Sequence, residues 1–189
     1  TRFFIPPPNP GAVQQIVDLA KAHKVVDAAR VTAMEATPHA VWFTDGTPAD
    51  VKAAVRKTVK AAAALRTVPM LVAYDIPFRD CAQYSAGGAI DAAAYRAWID
   101  GFAAGIGNEQ VVIILEPDGL GIIPWYNPFA NRDGWVTNPN YEWCQPAEAS
   151  PDTAAADRFA MINYAVNRLK ANHHTRVYLD GTHSAWLGA

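Results

Sequence analysis

Acidic side chains stand directly after each of four short apolar runs rich in β-branched or aromatic residues. Asp45 follows 40–44, Asp75 and Asp80 follow 68–74, Glu116 and Asp118 follow 110–115, and Asp180, then His183, follow 175–179. In parallel α/β folds the reactive groups collect at the carboxyl ends of strands. One carboxylate at a strand end is ordinarily a helix cap, but carboxylates after several separate strands, converging on one rim, argue for chemistry. Two chemistries suit them. In hydrolysis of a glycosidic bond a protonated acid donates to the leaving oxygen, and a second carboxylate, about 6.5–9.5 Å away in inverting enzymes, handles water. The other is a hard-metal site using Asp80, Asp118, Asp180 and His183. The tryptophans favour the first: Trp42 lies in the first run, Trp186 follows Asp180 by six residues, and Trp125, Trp135 and Trp143 fall within 119–149. Flat apolar rings with a polar edge stack on sugar faces, whereas a metal site has no need of them. Trp98 belongs to the core by its helical spacing with Tyr95, Ile99 and Phe102.

Nucleotide and acyl-transfer readings fail by comparison. Gly105-Ile106-Gly107 precedes a strand instead of following one, and neither a phosphate-loop Gly-Lys-Ser/Thr nor a Gly-x-Ser-x-Gly elbow is present.

The elements that must position these residues are legible from periodicity. Thr47, Pro48 and Asp50 read as N-cap, first helical residue and capping-box partner of a helix burying Val51, Val55 and Val59. A helix over 91–105 buries Tyr95, Trp98, Ile99 and Phe102. Ser150-Pro151 reads as the start of another, with Phe159, Ile162, Val166 and Leu169 on its face, and an earlier one begins near Pro10 with Val13, Ile16, Val17 and Ala20. Strands separated by helices imply βαβ units and a parallel sheet, either doubly wound or a barrel. Segment 119–149, with no convincing periodicity, reads as a long functional loop.

Composition narrows the partners. Of 189 residues, 51% are hydrophobic and 18% charged, with 16 Lys+Arg against 18 Asp+Glu. That excludes a disordered chain and lacks the basic excess of a nucleic-acid binder. No run approaches the roughly 18 apolar residues of a membrane span. The chain starts at Thr1 without a leader, which reads as mature or trimmed protein. Cys81 and Cys144, an even count, read as one bridge in a secreted chain, the alternative being two free thiols. A bridge would tie the long loop to the residue beside Asp80.

Four stretches then carry a specific resemblance: Phe3-Phe4-Ile5 through Asn9-Pro10-Gly11-Ala12; Ala73-Tyr74-Asp75-Ile76-Pro77 with Arg79-Asp80-Cys81; Ile113-Ile114-Leu115-Glu116-Pro117-Asp118; and Tyr178-Leu179-Asp180 with His183-Ser184-Ala185-Trp186. In order and spacing the chain resembles glycosyl hydrolase family 6, the inverting cellulases, and within it the secreted actinobacterial endoglucanases. The resemblance implies an α/β fold, a distorted parallel (β/α) barrel, with 1–189 a single catalytic domain incomplete at its carboxyl end; four strands cannot close a barrel and leave a sheet edge open. It implies Asp118 as general acid, Asp80 as the neighbouring charge that keeps it protonated, and Tyr74 beneath the distorted sugar. Trp42 and Trp186 become stacking platforms, and Asp180 and His183 substrate-binding residues. Ser85 becomes the residue that positions water, on a glycine-bearing lid from Cys81 to Ala89; Glu116 is structural, inward and paired. The implied activity is endo-hydrolysis of β-1,4-glucosidic bonds in cellulose or β-glucan oligosaccharides by a secreted monomer, without metal or cofactor, and without nucleic-acid or membrane partners. The alternatives are a cellobiohydrolase of the same family and a glucan-binding fragment without turnover.

Overall fold

The computed structural model describes residues 2–81, 83–125 and 144–182. Among the described residues nine elements follow one another: α1 (Pro10–Lys21), α2 (Val25–Glu35), β1 (Val41–Phe43), α3 (Pro48–Ala64), β2 (Met70–Ala73), α4 (Ala92–Ile106), β3 (Val111–Leu115), α5 (Ala154–Lys170) and β4 (Thr175–Leu179). The strands form one parallel sheet in the order β1-β2-β3-β4. Register aligns Trp42 with Val72, Val72 with Ile114, and Ile114 with Tyr178.

The sheet's two faces are treated differently. Phe43, Leu71, Ala73, Val111, Ile113 and Leu115 point into a core with α3, α4 and α5, which pack in series, α3 on α4 and α4 on α5. The opposite face carries Trp42, Val72, Ile114 and Tyr178, of which Trp42 is 55% and Tyr178 62% exposed. A doubly wound sheet would reverse its strand order and carry helices on both faces; sequential order with one helical layer is the singly wound pattern of a barrel wall.

Local chemistry accounts for the helices. The Thr47 side chain accepts from the Asp50 N–H and Asp50 accepts from the Thr47 N–H, the expected capping box ahead of Pro48. Asp91 caps α4 through the Ala94 N–H. α4 and α3 approach closely because Gly101 and Gly105, one turn apart, carry no side chain; a Cβ on Gly101 would stand 2.3 Å from the Pro48 carbonyl oxygen.

Three expectations need correction. α5 begins at Ala154, because Ser150 to Thr153 form turns in which the Ser150 carbonyl accepts from Thr153 and Ala154. Its buried face is Ala154, Arg158, Met161, Ile162, Ala165 and Leu169, while Phe159 is 49% exposed. An arginine takes the inward position next to the one expected for the aromatic. Val13 and Val17 of α1 are also exposed, since that helix packs on α2 and buries none of its residues. α2 itself is unanticipated: Lys24 caps it without a side-chain hydrogen bond, so it has no start signal.

Gly101→Ala tests the close approach. The substitution gains helix propensity of up to about 1 kcal/mol, but overpacking against the α3 backbone outweighs this, and a net loss of about 1–3 kcal/mol is expected in urea unfolding. An unchanged midpoint would mean that α3 and α4 separate freely.

Candidate active site

The strand exits converge where β2 and β3 end. Trp42 meets Tyr74 edge to face, ring centroids 5.6 Å apart, because Trp42 pairs with Val72 and Tyr74 follows Val72 by two on the same face. Tyr74 is buried, and burial is the main cause raising its hydroxyl above the usual range. The Ser85 hydroxyl acts on it as a hydrogen-bonding neighbour, and Asp80, Arg79 and Asp118 are the charges it senses. Four of the expected site residues, Tyr74, Ser85, Asp80 and Asp118, are therefore brought together.

Asp80 sits at a positive φ of 45°, and its Oδ2 accepts from both the Ser85 N–H (2.8 Å) and the Ser85 hydroxyl (2.5 Å). Ser85 and Asp80 thus form a hydrogen-bonded pair that the sequence did not announce. Arg79 underpins this turn. Its Nη1 donates to the Thr44 and Tyr74 carbonyls, its Nε donates to the Ser85 carbonyl at 3.2 Å, and its guanidinium lies 5.0 Å from the Tyr74 ring centroid. Asp75, 3.6 Å from Nη1, is pushed up to about 7 by desolvation, which outweighs the lowering by Arg79, with the Asp45 charge adding to the rise. On the return, Gly88 has a φ of 98° and a Cβ there would stand 2.0 Å from the Ile76 carbonyl oxygen. A left-handed backbone and this contact both require glycine at 88.

At the β3 exit, Glu116 and Asp118 both have positive φ, 48° and 60°, which ends the regular alternation of the strand, and the first is buried while the second is partly exposed. Glu116 turns fully inward and accepts from the Asp75 N–H (3.2 Å to each oxygen) and the Ile76 N–H (3.1 Å). Desolvation pushes it up to about 7 against the lowering by those two N–H groups, Tyr95 and Arg158. The Tyr95 hydroxyl faces this carboxylate without completing good hydrogen-bond geometry. Asp118 is partly exposed; its N–H donates to Asp180 Oδ1 at 3.0 Å, and the Thr182 N–H donates to the same oxygen at 2.8 Å. The Thr182 hydroxyl lies 3.5 Å from Asp118 Oδ1. One oxygen of Asp180 is thus committed to the loop that carries Asp118.

Cys81 and Cys144 are joined by a disulfide, Cα atoms 5.3 Å apart. Trp125 joins the same tie: its backbone N–H donates to the Cys144 carbonyl and its indole N–H to the Pro146 and Ala149 carbonyls. Trp98 is core, as expected, its indole donating to the Asp45 carbonyl. His183, Trp186, Trp135 and Trp143 lie outside the described residues. Among the described residues no group of three His, Cys, Asp or Glu is placed to hold a metal, and no helix is long and apolar enough to cross a membrane.

Two residues escaped the reading from sequence. Arg79 was visible only as the neighbour of Asp80. Arg158 had a usable signal, a charge in the apolar phase of α5 between Ala154 and Ile162.

Fold and rim together define a singly wound α/β protein with a carboxylate-lined, tryptophan-flanked site at its strand exits. The chain belongs to the glycosyl hydrolases family 6, whose pattern it matches over residues 1–189. It is 38% identical over 154 residues to "Endoglucanase A" of Thermobispora bispora, covering 82% of this chain and 29% of that protein. It is 38% identical to "Endoglucanase 1" of a Streptomyces species over 79% of this chain and 35% of that one. The solved endoglucanase Cel6 of Mycobacterium tuberculosis, in complex with a methyl-cellobiosyl thio-cellobioside, matches with a TM-score of 0.74 and 32% identity, over 98% of this chain and 54% of that one. The chain thus spans about half of that structure and about a third of the relatives.

Two outcomes follow from this geometry. A carboxyl whose pKa is raised by folding makes the folded state bind protons more tightly, so its contribution is full below its unfolded value and fades as pH rises towards about 7, the value for Glu116. Wild type should lose stability relative to Glu116→Gln between pH 4.5 and 7.5, read by urea unfolding; parallel pH curves would place Glu116 ionised throughout. Replacing both cysteines by serine opens a crosslink spanning 63 residues. This should lower stability by about 4 kcal/mol in the chain-entropy treatment. Thermal unfolding of the variant and of reduced wild type should coincide.

Proposed function

We propose that this rim hydrolyses β-1,4-glucosidic bonds of cellulose or β-glucan by a single displacement that inverts the anomeric centre. The observation carrying the reading is the joining of Tyr74, Ser85, Asp80 and Asp118 at adjacent strand exits beside the exposed face of Trp42. Asp118 is the general acid, protonating the glycosidic oxygen as the bond breaks. Asp80, sensed by the same Tyr74 hydroxyl, supplies the negative charge that disfavours ionising Asp118 and so keeps it a donor. Ser85, anchored to Asp80, orders water on that side of the sugar. Tyr74 supports a distorted ring, Trp42 and Trp186 stack on flanking glucose units, Asp180 holds the acid-bearing loop, and His183 binds sugar beside it. None of these steps calls on a metal or cofactor.

Endo action is supported by the names of the relatives and of the solved neighbour, and the cellobioside bound to that neighbour supports a glucan as ligand. We read the chain as part of one catalytic domain of a secreted protein acting as a monomer.

General acids contribute about 10²–10⁴-fold. Asp118→Asn in the full-length protein should therefore lower kcat on cellopentaose by about 10³-fold while binding to cellulose is retained; wild-type turnover on this poor leaving group would remove the acid role. Early product observed by NMR should be the α anomer, and an initial β product would rule out single displacement.

A further inference from the structure

Arg158 is the buried group whose contacts the proposed chemistry leaves unexplained. It lies on α5, 1% exposed, away from Trp42 and the open face of the sheet. Its Nη1 donates to the Gly119 carbonyl at 2.6 Å and the Ile122 carbonyl at 3.0 Å, and its Nη2 donates to the Pro77 carbonyl at 2.7 Å. Pro77 is three residues before Asp80; Gly119 follows Asp118 directly. One guanidinium therefore grips the loop that carries Asp80 and the loop that carries Asp118.

We infer that Arg158 is a positioning residue, a brace from α5 that sets the separation between the Asp80 and Asp118 loops and with it the influence of one carboxylate on the other. The inference rests on the proposed hydrolysis for its kinetic consequence, though not for the brace itself.

Two features favour a brace over simple charge balance. The groups facing Arg158 are Glu116 from the β3 exit, Tyr95 from α4 and Tyr74 from the β2 exit. Yet all three bonds of Arg158 go to carbonyl oxygens of the two loops, and no ion pair joins it to Glu116 among the described residues. A charge wanted only to offset Glu116 would have no reason to fork. Burial also holds its pKa down, to about 10, so the site keeps a cation there against a desolvation penalty. The planar fork of arginine presents donors in fixed directions that a lysine ammonium cannot reproduce. Among the described residues Nε has no partner, so the grip is made by the two terminal nitrogens.

Arg158→Lys separates these roles, since it keeps the charge and loses the fork. In the full-length protein the variant should show faster amide hydrogen exchange in both 75–88 and 116–123. A displacement of about 1 Å costs about 10²-fold in rate, so kcat on cellopentaose should fall by about that factor, with KM within about threefold. The general acid works protonated, so activity is lost as pH rises through its pKa. Loosened loops weaken the influence of Asp80, and the basic limb of the pH profile should move to lower pH. If Arg158→Lys does not fold, Arg158→Gln, which can still donate to one carbonyl but also loses the charge, should loosen both loops likewise, read by hydrogen exchange alone. Wild-type exchange in both loops together with a wild-type pH profile overturns the brace. If wild type itself releases no sugar while either variant loosens both loops, the brace stands and the hydrolytic reading fails.

Discussion

The Glu116 carboxylate, buried at the exit of β3 and holding the Asp75 and Ile76 N–H groups at the exit of β2, is the constraint from which the rest of the site follows. Parallel strands leave their last N–H groups without a ladder partner, and a buried N–H left unpaired costs about 1–3 kcal/mol. A side chain supplied by the next strand answers both at once, and ties two loops that would otherwise part. Glu116 is fully buried at a positive φ, whereas Asp118, two residues on and also at a positive φ, keeps partial exposure. The residue that closes the β2 exit therefore lies on the same short turn as the candidate acid.

Above this tie the site is built in tiers. Arg79 gathers the carbonyls of Thr44, Tyr74 and Ser85, linking the exits of β1 and β2 to the turn that holds Asp80. Asp180 performs the matching task from β4, accepting from the Asp118 and Thr182 N–H groups. Positive φ values recur through this rim, at Phe78, Asp80, Glu116, Asp118 and Thr182, none of them glycine. Such backbone is held at a cost of about 1–3 kcal/mol per residue and persists only where surrounding bonds over-determine it. Here those bonds are side chain to backbone, and they come from charged groups.

Much of this was legible in the chain itself. The four strands, the Thr47 capping box and the core face of α4 follow from periodicity and cap chemistry, because each depends on neighbours close in sequence. Asp80 and Asp118 stand out as candidates because strand exits collect reactive groups, and Ser85 only through the family resemblance. Arg158 and the register of α5 were not. Periodicity assigns inward positions to apolar residues, and an arginine satisfied by three carbonyls contributed by two distant loops violates that rule for a tertiary reason. α2 was missed on different grounds, since without a capping side chain its start carries no local mark. Trp125 reads as a sugar platform in sequence, and its bonds to Cys144, Pro146 and Ala149 tie it instead to the segment after the disulfide.

The carboxylates show why residue type alone could not divide structural from reactive groups. Asp75, Asp80, Glu116, Asp118 and Asp180 all follow strands and look equivalent in the sequence. In the fold they differ by what they accept and how much water they keep. Glu116 and Asp75 are buried, and each is pushed up to about 7 by desolvation. Asp180 spends one oxygen on two backbone N–H groups. Asp80 and Asp118, like Asp180, keep partial exposure, and theirs are the carboxylate charges that the Tyr74 hydroxyl senses. A raised pKa is by itself no mark of a catalytic carboxylate in this protein, because here the large shifts go with burial beneath the site. In the proposed reaction the Asp80 charge, not burial, disfavours ionising Asp118, and that influence depends on how firmly the two loops are held at one distance.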